Sequence, residues 1–277
     1  MNKRTFPIDT YLSRLGLSSL PDATQAGLHD LVRAQAMAIP FENLDILAGV
    51  PICLDEAAIV DKLLRRKRGG YCYELNTLMG IALKHAGFKF DTLLSRVTYN
   101  RPQPGPLTHQ ILRVTCDGEP WLVDVGFGGP GLIEPMRMRT DEVTTQSGAR
   151  FRLIRETNGD LHLQRQTPSD WIGLYRFAMD VATPLDIEMA NHFVSTYPRS
   201  PFRNRFMCIK PLATGMWRID GPELIQIDDQ LIARQRISMS GPEELVRAMR
   251  SIFGLELPTD IAERAWPTAT RPLDETR

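Results

Sequence analysis

Cys72, His109 and Asp124 are three residue types that, once gathered, can move an acyl group. A thiolate attacks carbonyl carbon, an imidazole takes and returns the proton, and a carboxylate holds the imidazole in one tautomer. The other histidines offer less. His29 and His85 fall on helical stretches, and His162 falls mid-hairpin with no role to assign. Four cysteines, at 53, 72, 116 and 208, contain no CxxC pair, so neither a zinc cluster nor a disulfide framework is expected and no metal is called for. Cys53, Cys116 and Cys208 read as packing residues.

The chemistry depends on what positions these side chains. After Arg68-Gly69-Gly70-Tyr71-Cys72, the residues Leu75, Leu78, Met79, Ala82, Leu83 and Ala86 recur at helical spacing, with Gly87 where a left-handed cap belongs. The glycine pair makes a permissive, sharp entry and sets Cys72 at the helix start, where unpaired N–H groups and the dipole favour a thiolate. A buried structural cysteine is the commoner fate of this residue type, but it would need neither the glycines nor the polar neighbours. His109 and Asp124 lie on two strands flanking Asp117-Gly118, a strong two-residue hairpin signal. In that register Ile111 faces Asp124, so His109 and Asp124 share a face as diagonal neighbours. A three-residue loop would put them on opposite faces. Asp124 also stands in the apolar run Trp121-Leu122-Val123-Asp124-Val125, where a carboxylate needs a partner.

Around these elements the chain of 277 residues has ample core for several domains. Its 33 basic and 33 acidic residues balance, so no net field draws it toward nucleic acid or membrane. The N-terminus carries no apolar signal region and no apolar run is long enough to span a bilayer, which makes a reducing, cytoplasmic setting the default expectation.

Up to about Phe88 the pattern is helical: Ile8 to Leu15, Thr24 to Met37, Asp55 as N-cap of a helix to Lys67, then the Cys72 helix. Ile39 to Asp45 reads as a turn. From Phe90 the period becomes two, with strands over Thr92–Tyr99, Thr108–Cys116, Trp121–Val125, Phe151–Arg155, Leu161–Arg165 and Trp171–Phe177, as in a small barrel or curled sheet. Asp186 to Arg205 reads as a polar link. Short strands and a helix from Ser240-Gly241-Pro242-Glu243 to Phe253 follow, then helix and coil after Pro258. The expected class is α+β and multi-domain: 1–88 helical, 89–185 β-barrel, 186–205 linker and 206–277 α/β.

Chemistry alone leaves three readings open: acyl transfer, a cysteine hydrolase or transglutaminase-like enzyme with the same triad, and a non-enzymatic redox-sensing thiol protein. Motif resemblance separates them. Arg68-Gly69-Gly70-Tyr71-Cys72-Tyr73-Glu74-Leu75-Asn76, Pro40-Phe41-Glu42-Asn43-Leu44-Asp45, Thr108-His109 and Val123-Asp124-Val125-Gly126-Phe127-Gly128-Gly129 resemble the signatures of the arylamine N-acetyltransferases, in that family's order and spacing. Ser200-Pro201-Phe202 is a weaker fifth match, and Tyr73 stands where the bacterial family usually has Phe. The resemblance implies a helical first domain, a β-barrel, an α/β lid and a cysteine-protease-like catalytic core. It also implies acetyl-CoA as donor, and aromatic amines, hydrazines or N-hydroxyarylamines as acceptors. By position it puts Phe41, Phe127 and Phe202 in the acceptor pocket, and Thr108 and Gly128 near the pantetheine arm of coenzyme A. Because both loops must meet if Phe41 lines that pocket, Glu42 and Arg68 are expected to form a buried supporting ion pair.

Overall fold

The computed structural model describes residues 6–270. Residues 1–5 and the coil expected over 271–277 lie outside the described residues. The first third is helical, with helices over Ile8–Leu15, Gln25–Ala38 and Cys72–His85, and a short helix Glu56–Ile59 that widens into a π-type stretch over Val60–Arg65. Leu75, Leu78, Met79, Ala82 and Leu83 are all buried, and this face anchors the Cys72–His85 helix against the helical core and the adjoining sheet wall.

Eight antiparallel strands follow in the spatial order Met136–Arg137, Glu119–Val123, Leu107–Cys116, Lys89–Val97, Trp171–Phe177, Leu161–Gln166, Ala149–Arg155 and Val143–Gln146. The sheet curls into a nearly closed barrel. Across the remaining gap Gln146 acts as a side-chain strut: its Oε1 accepts from the N–H groups of Ile133 and Glu134 at 3.0 and 3.1 Å, and its Nε2 donates to Glu134 O at 2.9 Å. Leu93, Ile111, Leu122, Leu153, Leu163 and Leu174 fill the interior.

The last third forms a second antiparallel sheet over Met207–Pro211, Met216–Asp220, Glu223–Ile227 and Ala233–Ser238, covered by the helices Pro242–Ala248 and Thr259–Ala269. Its first strand comes from far upstream. Phe41–Glu42 pairs with Met207–Pro211, with Phe41 opposite Ile209 and Glu42 opposite Cys208. The stretch expected as a turn is therefore an edge strand followed by a short helix, Leu44–Leu47.

Two other expectations change. The segment 186–205, read as a linker, is largely helical. Thr183 caps a helix over Pro184–Thr196 by accepting from Asp186 N–H, with Pro184 in the first helical position, and a helical turn over Pro201–Asn204 follows. The helix expected to start in a Ser240 capping box has Gly241 as N-cap. There Glu244 rather than Glu243 reaches back, accepting from Ser240 N–H at 2.7 Å.

Candidate active site

The hairpin sets the first half of the site. Asp117 and Gly118 both have left-handed φ, 52° and 76°, as a two-residue turn with matching twist requires. Leu112 then pairs with Val123 and Cys116 with Glu119, which carries Asp124 to the diagonal of His109. His109 Nε2 lies 2.7 Å from Asp124 Oδ2, with the pair almost fully enclosed. A register shift opposite His109 leaves Ser95 paired with His109 and Arg96 with Leu107, and Ser95 Oγ donates to His109 O at 3.0 Å.

The helix start supplies the second half. Cys72 is the first residue of its helix and is buried. Tyr71 N–H donates to the Glu74 carboxylate at 3.1 Å, and the first intrahelical bond falls only at Leu75 N–H. The backbone N–H groups of Cys72 and Tyr73 point out of the helix end without a partner within it. The role expected of the glycine pair changes here. Neither Gly69 nor Gly70 has positive φ; what they provide is space. A Cβ on Gly69 would come 2.4 Å from Pro40 O, and one on Gly70 would come 2.8 Å from Glu74 Cβ. The strand Phe41–Glu42 presses against this turn, Glu42 N–H donating to Gly70 O at 2.9 Å.

The helix start and the hairpin close on each other through contact that excludes side chains: a Cβ on Gly126 would sit 2.7 Å from Cys72 Cα. Cys72, His109 and Asp124 are thereby brought together. Burial works against a charged imidazole, but the Asp124 charge and hydrogen bond outweigh it, and the neighbouring Cys72 adds to the rise. His109 is pushed up to about 10. With Nε2 committed to Asp124, Nδ1 is the ring nitrogen left for Cys72. Burial would likewise raise the Asp124 carboxyl, yet His109, Asn76 and Gly126 hold it below the usual carboxylate range.

Asn76 is the residue that reading for chemistry missed. Its Nδ2 donates to Asp124 Oδ1 at 3.0 Å and to Gln110 O at 2.7 Å, and its Oδ1 accepts from Val125 N–H at 3.1 Å. It therefore binds the helix to both strands of the hairpin. The available signal was its place four residues after Cys72, on the same helix face. Tyr73 also gains a purpose, since its hydroxyl donates to Thr108 O at 2.8 Å, beside His109.

Glu42 and Arg68 meet in the interior, within a larger cluster than a pair. Arg68 donates to Glu42 at 2.7 Å and to Asp45 at 2.8 Å, and Lys62 bridges Asp45 at 2.8 Å and Glu74 at 2.7 Å. These five side chains are all buried. Cys208 is buried, and burial pushes its thiol well above the ordinary range. Cys116 is buried too, but Cys53 is exposed, against the expectation that all three are packing residues.

Cys72 and His109 open into a cavity of about 490 Å³, whose wall includes Phe41, Phe127, Phe202, Thr108 and Gly128. Phe127 packs edge-on to His109 with centroids 5.3 Å apart, and Phe202 lies 6.1 Å from Phe41 and 5.8 Å from Tyr71. The Phe41 ring occupies the space that a side chain at Gly128 would need, 2.6 Å from its would-be Cβ.

Residues 24–262 match the family model described as N-acetyltransferase. An arylamine N-acetyltransferase of Mycolicibacterium smegmatis is 41% identical over 261 residues, covering 92% of this chain and 93% of that protein. The chain belongs to the arylamine N-acetyltransferase family. A Salmonella typhimurium member described as arylamine N-acetyltransferase and N-hydroxyarylamine O-acetyltransferase is 37% identical over 209 residues, 75% of this chain and 74% of that protein. The Mycobacterium marinum arylamine N-acetyltransferase, solved in complex with CoA, superposes with a TM-score of 0.87 at 33% identity, covering 95% of this chain and 99% of that one. Among the described residues no helix is long and apolar enough to cross a membrane.

Proposed function

We propose that this enzyme transfers the acetyl group of acetyl-CoA, through a thioester on Cys72, to the nitrogen of arylamines, hydrazines or N-hydroxyarylamines. The observation that carries the reading is Cys72 as first residue of a helix beside the buried pair His109–Asp124, with His109 Nε2 2.7 Å from Asp124 Oδ2. His109 takes the Cys72 proton and Asp124 stabilises the imidazolium. The Cys72 sulfur attacks the acetyl carbonyl. Backbone N–H groups at the helix start receive the developing oxyanion. The carbon–sulfur bond to coenzyme A then breaks, and CoA leaves as the thiol with the proton returned by His109. In the second half the amine nitrogen attacks the acetyl-cysteine, its proton passes to His109, and the Cys72 thiolate is released. One cleft serving both halves requires ping-pong order.

Phe41, Phe127 and Phe202 suit a flat aromatic acceptor, and holding a weakly nucleophilic aniline nitrogen against the thioester contributes several kcal/mol by proximity. Thr108 and Gly128 flank the same cavity and are assigned to the pantetheine arm. A cytoplasmic setting belongs to the same proposal, supported by four free cysteines.

The test is to acetylate the enzyme with acetyl-CoA, remove CoA, and follow intact mass. An added aromatic amine or hydrazine should discharge Cys72 rapidly while the buffer control decays slowly. Rapid decay in buffer that an amine does not change would make this a hydrolase.

A further inference from the structure

Behind the Cys72–His85 helix lies a second cavity, of about 970 Å³, that the proposed reaction does not use. It shares no lining residue with the cavity at Cys72. Consecutive strand residues point to opposite faces, so His109 opens to the cavity at Cys72 and Gln110 to this one. The helices Cys72–His85 and Pro184–Thr196 form two walls, and the segment 49–55 forms a third side. Hydrogen bonds fix these parts against one another. Asn76 Nδ2 donates to Gln110 O at 2.7 Å, Asn191 Nδ2 donates to Ile52 O at 3.3 Å, and Asn191 Oδ1 accepts from the Tyr71 hydroxyl.

The decisive group is on the floor. Gln110 is only 3% exposed, and its Oε1 is buried with no hydrogen-bond partner among the described residues. Taking a carboxamide oxygen out of water without replacing its bond is unfavourable, and folded interiors rarely leave one so. The surface around it is apolar, with Leu112 and Ile187 buried and Phe90 half-buried. Carboxylates and cations stand only at exposed positions, Asp55, Glu56 and Glu188 against Lys84 and Arg203, so neither sign dominates. The volume lies at the upper end of the range for small-molecule pockets, about 300–1,000 Å³.

We infer that this cavity is a second small-molecule site, for a neutral, largely apolar ligand whose N–H or O–H group donates to Gln110 Oε1. The site is separate from the cleft in which acetyl transfer is proposed, and it does not depend on that reaction.

Cys53, exposed at the edge of the cavity, supplies the reporter. In full-length Cys72→Ala protein, where Cys116 and Cys208 are buried, a trifluoromethyl tag on Cys53 is followed by fluorine NMR. Indole, which carries one N–H, is titrated beside benzothiophene, which has the same shape and none. The tag should shift saturably, with indole bound about fivefold or more tighter. Gln110→Leu, which keeps the bulk and removes the acceptor, should erase that preference, a thermal melt showing that it is folded. Thr77→Phe, on the half-buried helix wall of the cavity, should block both probes. No saturable shift with either probe, equal affinity for the two, or a preference that survives Gln110→Leu would overturn the inference. So would undiminished binding in Thr77→Phe, or competition by coenzyme A, which would place the probe in the cavity at Cys72.

Discussion

Replacing Asp124 by Asn tests the assembled site most directly, because the surrounding hydrogen bonds dictate which way the amide must turn. Asp124 Oδ1 accepts from two donors, Asn76 Nδ2 and Gly126 N–H, each at 3.0 Å. An asparagine must keep its carbonyl oxygen there, since an NH2 facing two N–H groups would leave three buried donors without acceptors. Its NH2 is then turned toward His109 Nε2. That nitrogen must now accept, so the ring proton moves to Nδ1, the side facing Cys72, and the imidazole can no longer take the thiol proton. The charge effect acts in the same direction. His109 sits at about 10 against an ordinary value of 6.5 because Asp124 overcomes burial. At about 1.36 kcal/mol per unit, that shift corresponds to about 5 kcal/mol at the upper limit. Without the carboxylate, only the smaller influence of Cys72 opposes burial, and the imidazolium is strongly disfavoured. The same substitution in a serine-protease triad costs about 10⁴ in turnover; here we expect about 10² to 10⁴ in the acylation step. The assay is single-turnover acetylation by acetyl-CoA read by intact mass, with a thermal melt to show that the variant is folded. A folded Asp124→Asn enzyme that acylates within tenfold of wild type would refute this account of His109.

The buried cluster around Arg68 makes a stability prediction. Arg68→Gln strips Glu42 and Asp45 of a shared cation and should cost about 3–5 kcal/mol, whereas Arg66→Gln, whose pair with Asp61 is half exposed, should cost less than about 1 kcal/mol; similar small losses in urea unfolding would count against the cluster. A second prediction concerns pH. Because His109 is raised in the folded state, its contribution to stability is complete below about 6.5 and disappears as pH climbs through about 10. The stability advantage of wild type over a folded His109→Gln variant should therefore shrink by a few kcal/mol across that window, with buried tyrosines common to both proteins cancelling. A difference that stays flat would contradict the raised value.

How much could be read from the chain differs by element. The helix over Cys72–His85 and the Asp117-Gly118 hairpin were legible because local rules govern both: apolar spacing in one, turn torsions and a period of two in the other. The His109–Asp124 approach follows from the hairpin register alone. Asn76 went unassigned because its partners, Gln110 and Asp124, arrive only when helix and hairpin dock. Long-range pairing also hid the strand at Phe41–Glu42, whose two residues are too few to show a period and whose partner lies beyond residue 200. Lys62 carried no signal of its own, because Asp45 and Glu74 close around it only through tertiary packing. The polar segment 186–205 concealed a helix because its exposed side carries apolar residues, Leu185, Met189 and Phe193, which blur the amphipathic pattern.

The strand at Phe41–Glu42 also bears on biosynthesis. It is wedged between the turn at Gly70 and the strand Met207–Pro211, so its outer hydrogen-bonding edge is covered only by residues made in the last third of translation. A polypeptide released before Met207 would already hold Cys72, His109 and Asp124. It would present a bare strand edge beside them, a template for pairing with other chains, and the cleft would lack the wall supplied by Met207 and Ile209. Prematurely terminated chains should thus be marked for aggregation at the place where their chemistry is left open to water.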